Sequence, residues 1–151
     1  MCSFENPSEY IDVLSKDTYI RLQNITYNFN KGCSKAQDLE DKMNRQLRLL
    51  NETCPFTMEN SEEMIRVSSI LVKTKHVFGD LRDFLVLCIE RMNTAKAFMY
   101  DGYVLDAIEY VHEIEQILDD FNTILNENAQ RLEHSNLYIR KILSINSNTV
   151  S

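Results

Sequence analysis

The tightest constraint on this chain is a spacing of apolar residues by alternate threes and fours. From Met64 the steps read Met64, Val67, Leu71, Thr74, Phe78, Leu81, Leu85, Cys88, Met92, Ala95 and Met99, and only Thr74 is polar. From Val104 they read Val104, Ala107, Val111, Ile114, Leu118, Phe121, Leu125, Asn128, Leu132, Ser135, Ile139 and Ile142, and only Asn128 and Ser135 are polar. A period of 3.5 residues held over five heptads is the pattern of long helices lying side by side. It excludes most folds at once and leaves few positions for a chemical site.

Punctuation divides the pattern into three helices. Pro7 sits at a helix start, with Asn6 before it as a cap. Pro55 ends the first helix. Asn60 opens the second and is expected to cap its first free amides. Asp101-Gly102 ends the second helix, because glycine takes the left-handed cap conformation at little cost. The third helix is expected from Tyr103 to about Ile145, which makes 1–145 one bundle domain and 146–151 a disordered polar tail.

The first helix carries a weaker stripe, Leu22, Ile25, Phe29, Gly32, Ala36, Leu39, Met43, Gln46 and Leu50. Gly32 costs about 1 kcal/mol against alanine within a helix. Before Leu22 the apolar residues shift to a second stripe, Tyr10, Val13, Ile20 and Tyr27. Two arrangements satisfy this: one helix bent near Gly32, or two helices meeting there. The expected fold is therefore all-α, an elongated antiparallel three-helix bundle, or four helices if the first breaks. A helix of about 40 residues is about 60 Å long.

Stripe width says what each helix faces. Ile70, Val77, Phe84 and Phe98 form a further row on the second helix, and Tyr110, Ile117, Ile124, Tyr138 and Ile145 do so on the third. Three rows suit a bundle, whereas a two-stranded coiled coil needs two. The core heptad positions are Leu71, Phe78, Leu81, Leu85, Val111, Ile114, Leu118, Phe121 and Leu125. Rows of that width invite partner helices as well.

Charge narrows the function classes. The net charge of −7 comes almost wholly from residues 101–151, with nine acidic and three basic residues. No basic stripe suited to nucleic acid is present. Asp106, Glu113, Asp120 and Glu127 recur every seven residues along one edge of the third helix. They read as a solvated face, as a rail for a basic partner helix, or as flanking partners for Lys75, Arg82 and Lys96 of the second helix. Phe56 and Met58 lie in the connecting loop, where apolar residues either pack across the bundle end or insert into a partner.

Catalytic patterns are scarce. Glu109 and His112 make one Glu-x-x-His pair, whereas a di-iron bundle needs two such pairs and two further glutamates. No phosphate loop, nucleophile elbow or Cys/His cluster occurs, so neither an enzyme nor a cofactor is expected. The four cysteines, Cys2, Cys33, Cys54 and Cys88, are too scattered for a disulfide framework and suit an intracellular setting, cytoplasmic or nuclear. The start of the chain lacks the apolar core of a secretory signal, and Cys2 lacks an accompanying lipidation signal. No run suits stable membrane insertion.

The segment from Ala97 to Ile108 resembles the turn of a tetratricopeptide hairpin, with Gly-Tyr at the bend and Ala107 at the crossing. It occurs once, on helices much longer than that repeat allows. The expected role is a non-catalytic scaffold or adaptor subunit of a multi-protein coiled-coil complex, of kinetochore, vesicle-tether or lysosome-related adaptor type. Its partners would be other helical subunits, a homo-oligomer included. The alternative is a free-standing regulatory bundle whose groove binds a partner helix, as in syntaxin amino-terminal domains.

Overall fold

The computed structural model describes residues 7–149, so Cys2 and the Asn6 cap lie outside the described residues. Three helices, α1 (Pro7–Thr53), α2 (Ser61–Tyr100) and α3 (Val104–Thr149), pack against one another. They take up 93% of the described residues, among which no strand occurs.

Each helix begins and ends for a local reason. α1 starts on Pro7, whose missing amide hydrogen is no loss at a first turn. α2 leaves through a Schellman motif. The Tyr103 amide donates to the Phe98 carbonyl at 2.8 Å, and the Gly102 amide donates to that of Met99 at 3.2 Å. Gly102 carries the left-handed φ of 83° that this motif requires. The motif's usual apolar contact is present too, an edge-on pair of Phe98 and Tyr103 with centroids 6.2 Å apart. The Tyr103 carbonyl then accepts the first bond of α3 from Ala107.

One expected boundary moves, and one expected cap has another role. α3 continues through Thr149, beyond the expected end near Ile145. At this end Asn146 accepts a 3.0 Å hydrogen bond from Asn60, so its polarity is spent on packing. Asn60 does precede α2, but its side chain turns away from the helix. Its Oδ1 accepts from the Thr57 amide, and its Nδ2 donates to the Pro55 carbonyl and to Asn146. It ties down the loop rather than capping amides.

α1 is one helix through Gly32. The Phe121 ring lies against the backbone there: an added Cβ would sit 3.0 Å from Phe121 Cε1, and the ring would have to give by a few tenths of an ångström. The lost helix propensity makes room for an aromatic ring on the facing helix.

The helices divide into two compact units. The first holds residues up to Cys33 with Asp83–Asn122, and the second holds Ser34–Arg82 with residues from Thr123 on. In the first, Arg21 pairs with Glu115 and Gly32 meets Phe121, so α1 and α3 run in parallel. Phe98 stacks on Tyr110 and Arg91 reaches Glu113, so α2 runs against them. The second unit repeats the topology through Lys35–Asn126 and Asn60–Asn146.

All twelve heptad positions of α3 are buried. On α2 the stripe is buried except Met64, Leu85 and Met99, which are half-buried. The additional rows, Ile70 to Phe98 and Tyr110 to Ile145, are half-buried throughout. The first unit's core is apolar and centres on Leu22, Ile25, Met92, Val111, Ile114 and Leu118.

The second unit's core is interrupted by polar groups. The single hydroxyl hydrogen of Ser135 is shared between two acceptors, Gln46 Oε1 and the Leu132 carbonyl, and that carbonyl also accepts from Gln46 Nε2 at 3.0 Å. Thr74 satisfies itself on the Ile70 carbonyl four residues back. Asn128 and Ser135 thus lie within continuous buried helix. Asn128 Oδ1 accepts from Arg131, while its buried Nδ2 has no partner among the described residues. Asn128→Leu is therefore expected to stabilise the protein by about 1–2 kcal/mol, seen as a higher urea midpoint. A lower midpoint would mean that the amide is satisfied in solution.

Candidate functional site

The fold leaves several apolar groups uncovered. The second stripe of α1, Tyr10, Val13, Ile20 and Tyr27, is exposed on the face away from the buried stripe. In the first unit, α1 and α2 also frame two adjoining clefts. One, of 660 Å³, is lined by Tyr19, Leu22, Gln23, Thr26, Lys96, Met99 and Tyr100. The other, of 450 Å³, is lined by Ser15, Lys16, Tyr19, Ile20 and Met99. Leu22 and Met99 are buried or half-buried at the floor, while Tyr19, Ile20 and Tyr100 are 59%, 52% and 92% exposed at the lips. The charged side chains of both linings are Lys16 and Lys96.

The connecting loop presents a second apolar point. Phe56 and Met58 are 65% and 89% exposed, so neither packs across the bundle end. The loop beneath them is held by the Asn60 bonds and by buried Cys54.

The acidic edge is exposed, but part of it is already occupied. In the first unit Glu113 Oε2 lies 3.1 Å from Arg91 Nε, and the Arg91 guanidinium sits over the Tyr110 ring at 5.6 Å. In the second unit Glu127 lies 3.8 Å from Arg131, one turn along the same helix. Asp106 and Asp120 are exposed and have no ion-pair partner among the described residues. Of the basic residues expected to flank this edge, Arg82 instead pairs with Glu40 of α1. Lys75 and Lys96 make no ion pair among the described residues.

Reversing Asp106, Glu113 and Asp120 to lysine removes one exposed pair and one favourable charge in the first turn of α3. The expected cost is about 1–2 kcal/mol with helicity intact, measured by circular dichroism. Collapse of the helical signal would show that the edge is packed.

Glu109 and His112 are both exposed, and His112 Nε2 lies 3.4 Å from the Gln116 amide. Among the described residues no three His, Cys, Asp or Glu side chains gather as a metal site.

Cys54 and Cys88 are buried, and Cys33 is half-buried. Cys33, Cys54 and Cys88 are free, and burial pushes the Cys88 thiol up to about 11, with nearby Cys33 adding to the rise. Burial raises Cys33 as well. Both stay protonated at neutral pH and are poor nucleophiles. Because the folded state disfavours the Cys88 thiolate, its contribution to stability is full at neutral pH. It falls as pH rises from the ordinary thiol value of 9.0 through about 11. Cys88→Ala is expected to flatten that part of the alkaline stability profile, read from urea midpoints.

Sequence patterns did not single out Tyr19, Tyr100 or Lys16, and they set Lys96 beside the acidic edge rather than at a groove. Their signal was indirect: α1 is apolar on two faces before Tyr27, and one bundle core can cover only one of them.

Among the described residues no helix is long and apolar enough to cross a membrane. No protein-family model, curated protein or solved structure matches the chain.

Proposed function

We propose that this chain is a non-catalytic helical subunit, a scaffold or adaptor that joins other helical proteins in a multi-protein complex. The observation that carries the reading is the uncovered apolar surface of the first unit, with Tyr19, Ile20 and Tyr100 exposed around adjoining clefts. Side chains of that kind, gathered on one side, are what a binding surface displays. Three free thiols suit a reducing, intracellular setting.

The test is purification of the chain from its native cells under mild conditions, with the co-purifying chains identified. The expected result is one or more helical proteins in stoichiometric amount. Recovery of the chain alone overturns the subunit reading.

A second reading has its own support. The twelve α3 heptad positions are buried within this one chain, so the core does not wait for a partner to be covered. That favours a free-standing regulatory bundle that receives a helix in a groove. The two differ in solution. An obligate subunit unfolds or self-associates when isolated, whereas a regulatory bundle melts cooperatively as a monomer at low micromolar concentration.

A further inference from the structure

We infer that the α1–α2 groove of the first unit seats one helix of another protein chain, amphipathic, with carboxylates flanking its apolar stripe. The inference rests on the proposed role as a helical interaction protein and adds the place and the chemistry of the contact.

The two clefts share Tyr19 and Met99 and so form one groove. It follows α1 from Ser15 to Thr26 against residues 96–100 of α2. That stretch of α1 is about 17 Å long, or about three turns of a docked helix. Its floor is Leu22 and Met99, and its lips are aromatic or branched aliphatic. Those surfaces suit anchors at positions i, i+3 and i+7 of an amphipathic helix.

Charge selects among such helices. Lys16 and Lys96 are the charged liners, and neither has an ion-pair partner among the described residues. Two free cations on the rim of an apolar groove, in a chain of net charge −7, complement carboxylates beside the stripe of the incoming helix. The acid-rich helix of a second copy is a poor fit: it is α3, whose apolar heptad row is already buried within its own core. The occupant we assign is a helix of a different chain, and a second copy's exposed α1 stripe, Tyr10, Val13, Ile20 and Tyr27, is the alternative that sedimentation reads.

The experiment uses the full chain and two synthetic amphipathic helices of three heptads. They share one leucine stripe, and the flanking positions are glutamate in one and lysine in the other. Fluorescence anisotropy is expected to show at least tenfold tighter binding of the glutamate-flanked helix. Lys16→Glu with Lys96→Glu is expected to invert that preference. Tyr19→Asp with Tyr100→Asp, both exposed, is expected to lower binding at least tenfold with the circular dichroism spectrum unchanged. Equal binding of the two helices, binding of neither, or indifference to the tyrosine changes overturns the inference. So does a dimer in sedimentation that the tyrosine changes abolish, which would make a second copy the occupant.

Failure of the groove and failure of the subunit role separate cleanly. A native partner retained by the tyrosine variant but lost with Phe56→Asp and Met58→Asp removes the groove and keeps the subunit role. A chain recovered alone that still selects the glutamate-flanked helix does the reverse.

Discussion

Phe121→Asp is expected to abolish cooperative folding of the first unit. Phe121 is 1% exposed and lies against the Gly32 backbone. Truncating such a ring costs about 3–5 kcal/mol, and the new carboxylate adds several more because it has no water there. The sum approaches the whole stability of a typical domain, about 5–15 kcal/mol. Leu118→Asp, on the same row, should behave alike. Asn122, next in sequence but exposed, provides the control, and its change to aspartate should shift stability by less than about 0.5 kcal/mol. Urea titration followed by circular dichroism and by binding of a hydrophobic dye checks both. A cooperative transition near the wild-type midpoint in Phe121→Asp would remove Phe121 from the core.

The second large effect is expected at Asn60. Its side chain makes three hydrogen bonds from a fully buried position, to the Thr57 amide, the Pro55 carbonyl and Asn146 Oδ1. Asn60→Ala leaves those partners without it and should destabilise by about 2–4 kcal/mol. Asn60→Asp is the more telling change. It keeps the acceptor for Thr57 but sets a carboxylate against two oxygens, so it should be no better than alanine. An ordinary helix cap would behave otherwise, since aspartate replaces asparagine at a cap with little loss. A urea midpoint for Asn60→Asp close to wild type would therefore restore the simple capping role.

These two sites differ in how far the sequence foretold them. Phe121 was legible because a heptad position is fixed by spacing alone, and spacing survives any detail of packing. The same holds for Val111, Ile114, Leu118 and Leu125, all buried where the stepping places them. Asn60 was placed correctly at the start of α2, but its role was not legible. A cap is a local pattern, whereas its bond to Asn146 joins residues 86 apart in sequence. Gly32 was ambiguous for the same reason: it reads as a helix breaker until the ring of Phe121 is placed against it. The acidic edge was visible as a charge repeat, yet the partnership of Arg91 with Glu113, and of Arg82 with Glu40, depended on which faces turned together. The groove was the least legible feature. It exists only because Tyr19 and Tyr100, 81 positions apart, line one cleft.

A heptad sequence has a weakness of its own: slide one helix by seven residues and the apolar rows still meet. Such misthreaded bundles would be compact, helical and slow to escape, the kind of trap that draws chaperones and aggregation. Two places in this chain make the slide costly. Moving α1 by seven brings Ile25 or Leu39 to the ring of Phe121, where even a Cβ would sit 3.0 Å from the ring and a larger side chain would have to displace it. The same move parts the buried Gln46 amide from Ser135 and from the Leu132 carbonyl, which keep only each other. One glycine and one glutamine thus proofread the threading of α1, a task that the leucines and isoleucines around them, interchangeable under such a shift, are unable to perform.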